Sequence, residues 1–190
     1  RESIYDAFRR KETYGTTGPR IQLRFFAGYD FEPEMAQADD MIARAYQGGV
    51  PMGSDLAANG DRVPRFLVWA ARDANSAPLQ RLQVVKGWVE GGEAREQVYD
   101  VACSDGEPGS GRGEPDPVSH RCEDNGAEVD LNDCSFSQDK GDAELATLWS
   151  DPNFDPSQRA VYYRRRSSSC SAGSPSPRLS SRIPNRPVDP

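Results

Sequence analysis

Histidine is almost absent from this chain: His120 is the only one in 190 residues. A hydrolytic metal centre draws on several converging His and carboxylate ligands, and a Ser-His-acid triad needs a firmly held His. One His between Ser119 and Arg121, in a Gly- and Pro-rich stretch, supports neither. Basic residues are outnumbered, 23 Lys and Arg against 30 Asp and Glu. The net charge is -7, which argues against a nucleic-acid binder, since that needs a basic face to displace counterions from phosphates. No run approaches the roughly 20 apolar residues that a membrane helix requires. There is no CxxC pair, no Gly-rich phosphate loop ahead of a helix and no EF-hand spacing. An initiator Met is missing as well: the chain opens on Arg1-Glu2-Ser3 inside what reads as a helix. It therefore reads as a piece of a longer protein, and the lack of a signal peptide carries no weight on export.

What is present is mostly β pattern. Ile4, Ala7 and Phe8 make a narrow apolar face on a short helix over residues 1–12, ended by Gly15. Thr16-Thr17-Gly18-Pro19-Arg20 is a turn, and Ile21 to Phe25 alternates apolar and polar as a half-buried strand does. Residues 33–46 suit a helix closed by Gly48-Gly49, followed by a turn over 51–55. Strands are then expected over 66–71, 79–89, 96–102 and 160–164, while 143–149 is ambiguous between strand and one helical turn. Strands separated by turns, with no long amphipathic helices between them, predict a mainly β fold. The expected architecture is an immunoglobulin-like antiparallel β-sandwich with a short N-terminal helix. The approach Asp155-Pro156-Ser157 to Tyr162-Tyr163 suits a tyrosine corner, in which a Tyr hydroxyl ties a strand back to the preceding loop.

A long loop over 103–142 holds eleven Asp and Glu residues and three of the four cysteines, Cys103, Cys122 and Cys134. So little apolar surface cannot order it. A disulfide among these three would, by removing entropy from the unfolded chain, and spacing leaves the pair open. A Cys3His zinc set with His120 is disfavoured by the long spacing, and a solvated acidic loop is favoured over a calcium site. The best local candidate for a ligand contact is the turn at Thr16, Thr17 and Arg20. Hydroxyls, backbone N–H groups and a guanidinium suit an anion such as phosphate there, although a plain structural turn is the simpler reading. No catalytic residue and no metal ligand set stand out.

The run from Arg1 through Lys11-Glu12-Thr13-Tyr14-Gly15-Thr16-Thr17-Gly18-Pro19-Arg20-Ile21 resembles a signature of the bacterial "domain of unknown function 3604" family. Further matching stretches are 24–26, 50–56, 66–70, 84–88, 98–102 and Asp151-Pro152-Asn153-Phe154-Asp155-Pro156. The resemblance implies a relative of the PHP (polymerase and histidinol phosphatase) metal-dependent phosphoesterases, often exported. It implies that residues 1–20 end an upstream catalytic domain and that 21–163 form an appended β-domain. Thr16, Thr17 and Arg20 would then lie on the substrate side. The divalent metal would sit in the missing upstream domain, with no cofactor in this chain. A periplasmic or extracellular location would agree with a disulfide.

After Tyr163 the sequence departs from the family's expected strand and becomes a Ser/Pro/Arg string. Residues 164–190 carry six Arg against one Asp, so the preceding 163 residues carry a net -12. A frameshift and a natural disordered basic tail both fit, and either predicts no structure there. The expectation is thus the non-catalytic portion of a PHP-like metal-dependent hydrolase acting on phosphoesters, inert alone, with the upstream domain as its partner. The alternative is an independent extracellular module binding carbohydrate or calcium. A binding module should present Trp88 or Tyr99 on an open face, whereas a packing domain should bury an apolar patch against residues 1–20.

Overall fold

Alternation becomes strand wherever it was expected, and the computed structural model assembles those strands into two antiparallel sheets. It describes residues 1–16, 18–106, 113–130, 132–133 and 135–168, the last five of these by backbone alone. Helix α1 spans Glu2–Arg9, a 3-10 turn spans Pro33–Gln37, and α2 spans Met41–Gly48. The strands are β1 (Gln22–Gly28), β2 (Gly49–Pro51), β3 (Arg65–Ala71), β4 (Leu79–Glu90), β5 (Glu93–Cys103), β6 (Glu144–Ser150) and β7 (Ala160–Ser168). One sheet has the order β2-β1-β3-β6, the other β5-β4-β7. Strands β1, β3 and β6 take the A, B and E places of the immunoglobulin order, and β4 and β7 take C and F. The ambiguous segment at 143–149 is a strand, because Leu145 faces the core while Glu144 pairs opposite Ala71 at the solvent end.

The core lies between the sheets. Phe25, Phe66, Val68 and Leu145 from one sheet meet Leu82, Val84, Tyr99 and Val101 from the other. Each such side chain contributes about 1.5–3 kcal/mol on burial. The first sheet is apolar on both faces, so it needs a second cover. Phe26 and Leu67 point away from the sandwich and are buried beneath Phe31, Met35 of the 3-10 turn and Ala45 of α2.

Several expectations change in detail. The helix expected over 33–46 is broken: a 3-10 turn ends at Gln37, Ala38 is extended, and α2 starts only at Met41. Strand β2 was read as helix end and turn; it forms because Gly49, Val50 and Pro51 pair with Gly28, Ala27 and Phe26. Strand β7 does not stop at Arg164. Its backbone pairs with β4 as far as Leu79 opposite Ser168, because ladder bonds need only backbone groups and β4 is long enough to offer them. Residues 169–190 lie outside the described residues.

Candidate functional site

The N-terminal segment is held at its end and open along its length. Helix α1 buries none of its residues; Ile4, Tyr5 and Phe8 are each more than 60% exposed, at 65%, 63% and 64%. An open groove of about 690 Å³ runs beside it, lined by Ile4, Ala7, Phe8, Thr13 and Tyr14 among others. Residues 10–14, by contrast, are fastened to the sandwich. Tyr46 donates to Glu12 at 2.9 Å, and the Tyr14 hydroxyl donates to the Ile21 carbonyl while accepting from the Leu23 N–H. Burial and the neighbouring Glu12 carboxylate both push the Tyr46 hydroxyl's pKa up, which keeps it a donor. Arg10 and Lys11 pass directly over Gly53, where no side chain fits.

Of the three residues expected to face a substrate, Thr16 and Arg20 are exposed and Thr17 lies outside the described residues. The Arg20 N–H donates to the Asp73 carboxylate at 2.7 Å. The Asp73 carboxylate thus takes up the backbone N–H at the Arg20 end of this turn. Asp73 stands 53 residues away, so local sequence gave no sign of it.

A polar cluster that the sequence did not single out joins the two sheets. Lys86 of β4 and Asp151, just beyond β6, form an ion pair of 2.7 Å with side chains 4% and 0% exposed. Lys86 also donates to the Asn153 carbonyl and lies against the rings of Trp88 and Tyr162. Asp151 accepts from the Tyr162 hydroxyl and the Asn153 N–H, and Asn153 donates to the Tyr99 hydroxyl. Tyr162 is therefore the expected corner tyrosine, with its hydroxyl on a side-chain carboxylate rather than on backbone. Burial and the Asp151 carboxylate raise its pKa far above the ordinary range, so it remains a donor. Tyr99 is 1% exposed and Trp88 is half-buried beside Lys86, so neither offers an open aromatic face.

Several aspartates of the acidic loop accept hydrogen bonds from the loop itself. Cys103 and Cys122 are joined by a disulfide with Cα atoms 5.6 Å apart, and Cys134 lies outside the described residues. Asp116 accepts from the Ser119 N–H, Asp124 from Gly126, Asp130 from Asn132, Asp133 from Ser135 and Asp105 from Gly141. Backbone N–H groups from Ser119 and Ser135 hold Asp116 and Asp133 below the usual carboxylate range. Burial would raise Asp105, but the Gly141 N–H, the Asn125 amide and the Ser104 hydroxyl outweigh it. Asp142 is raised, chiefly by burial. Among the described residues, no three His, Cys, Asp or Glu side chains gather as a metal set.

A carboxyl with a depressed folded pKa contributes stability that is present above its unfolded value and lost as pH falls through the folded one. The Ser119 and Ser135 amide resonances should therefore titrate with midpoints below about 3.9, the ordinary Asp value, while Asp142 titrates above it. Midpoints for Ser119 and Ser135 at the ordinary value would show that these turns are not formed in solution.

The fold defines the class: an immunoglobulin-like β-sandwich that carries a helical N-terminal segment. Among the described residues, no helix is long and apolar enough to cross a membrane. The chain belongs to the family described as "Protein of unknown function (DUF3604)", whose profile matches residues 1–181. The match runs past Tyr163, where the resemblance placed a departure. No curated protein and no solved structure matches the chain.

Proposed function

We propose that this chain is the non-catalytic portion of a PHP-like metal-dependent hydrolase acting on phosphoesters, and is inert alone. Residues 1–20 end the upstream catalytic domain, with Thr16, Thr17 and Arg20 on its substrate side. The sandwich from residue 21 onward braces that domain, the divalent metal belongs to the upstream domain, and the protein works in the periplasm or outside the cell. The observation that carries this reading is α1. An apolar face of Ile4, Tyr5 and Phe8 is held out from the sandwich by a firmly fastened segment, and nothing among the described residues covers it. The buried Tyr99 and half-buried Trp88 weigh against the carbohydrate module, and the self-bonded loop carboxylates weigh against calcium.

The test compares Phe8→Asp in the chain as given and in the same chain extended through its natural upstream sequence. Phe8 is exposed here, so stability of the short chain should stay within about 0.5 kcal/mol. In the extended protein the change should cost about 2 kcal/mol, the burial of one aromatic side chain, and lower phosphodiesterase activity with Mn²⁺ or Zn²⁺. Equal effects in both contexts, or turnover of bis(p-nitrophenyl) phosphate by the short chain, would refute the reading.

A further inference from the structure

The outer edge of β5 is covered by a strap, residues 113–122. The Asp100 N–H donates to the His120 carbonyl at 3.0 Å, and the Cys103 N–H donates to the Gly113 carbonyl at 3.0 Å. The Cys122 N–H reaches the Asp100 carboxylate at 2.8 Å, and the His120 ring lies on Tyr99. Yet the strap contributes little to the core, since Cys122 is its only buried residue. Two ladder bonds, one ring contact, one side-chain bond and a half-exposed Arg121–Asp100 ion pair of 3.5 Å hold a ten-residue segment of exposed, Pro-containing chain. Such a segment opens locally at low cost unless a covalent tie prevents it. The tie is the disulfide, which anchors the strap's last residue to the end of β5.

We propose that Cys103–Cys122 is a redox latch on this strap. A dithiol reductant opens it by thiolate attack on Cys103, the partly exposed half of the bond. The Cys122 thiolate leaves, and the reductant's second thiol then resolves the mixed disulfide and is itself oxidised to a cyclic disulfide. Residues 113–122 then leave the edge. The N–H groups of Asp100 and Cys103 are uncovered, together with the buried Asp100 carboxylate that Arg81 and Gln83 also contact. The sandwich stays folded, because the core cluster between the sheets includes no strap residue. Reduction thereby converts a protected edge strand into an open one, able to pair with another extended chain.

Amide hydrogen exchange of the full chain, with and without dithiothreitol, tests this. The Asp100 and Cys103 amides should exchange at least tenfold faster after reduction, while Val68 and Val84 in the central strands change less than twofold. The Cys103→Ser, Cys122→Ser double variant should show the same pattern without reductant. Unchanged exchange at Asp100 and Cys103 would overturn the latch, since the strap would then hold without the disulfide. Faster exchange throughout β3 and β4 would overturn it equally, since the disulfide would then be holding the whole fold.

Discussion

Asp151→Ala should destabilise the chain by about 3–5 kcal/mol, the usual cost of leaving one member of a buried ion pair without its partner. The Lys86 ammonium, the Tyr162 hydroxyl and the Asn153 N–H all reach this carboxylate. Removing it leaves the ammonium inside the protein with a single carbonyl and two ring faces. Tyr162→Phe should cost less, about 1–3 kcal/mol, because it leaves one charged acceptor short of one hydrogen bond. The decisive variant is the double, Lys86→Met with Asp151→Leu. If the pair joins the sheets mainly by charge, the double should recover much of the loss, because hydrophobic residues of similar volume replace buried pairs with little penalty. Urea unfolding of the three variants checks this. A loss below about 1 kcal/mol for Asp151→Ala would mean that water reaches the pair in solution and that the surface-bridge value applies.

That cluster also marks where sequence reading succeeds and where it stops. Lys86 was legible only as a residue of an expected strand, between Val84 and Trp88. Its partner was not, since the pairing depends on how β6 ends over β4 and no local pattern encodes that. The strands were legible because alternation is a local consequence of one buried face. Strand β5 was read as starting late because Glu93 to Arg95 are exposed on both faces, and β2 was missed because Gly49 and Pro51 carry turn signals. The disulfide region was legible as three candidate cysteines. Choosing Cys103 with Cys122 requires the end of β5 and the strap to lie together, which is a tertiary fact. That Asp73 is the carboxylate at the Thr16–Arg20 turn is likewise a tertiary fact, since it stands 53 residues from Arg20. The β7 boundary was misplaced because three arginines read as tail, whereas the ladder with β4 is set by backbone groups.

Gly53→Ala should cost about 3 kcal/mol, and Gly91→Ala only about 1 kcal/mol, although both glycines have positive φ, 87° and 59°. Strain is common to the two positions; contact is not. A Cβ at Gly91 meets nothing within 4 Å, in a two-residue hairpin between β4 and β5. A Cβ at Gly53 would stand 2.4 Å from the Arg10 carbonyl oxygen and 2.5 Å from the Lys11 carbonyl, both backbone, which cannot swing away as a side chain can. The difference between the variants therefore measures how tightly residues 10–11 are pressed onto the sandwich. It bears on function, because this contact with the Tyr46–Glu12 and Tyr14 bonds is what aims α1 outward. Released from Gly53, the segment should lose the Tyr46–Glu12 bond as well, so the raised Tyr46 pKa should fall back toward its ordinary value while the sandwich stays folded. If Gly53→Ala costs no more than Gly91→Ala and Tyr46 titrates as before, residues 1–12 are only loosely tethered. The outward-held apolar helix would then lose its standing as a docking face for the upstream domain.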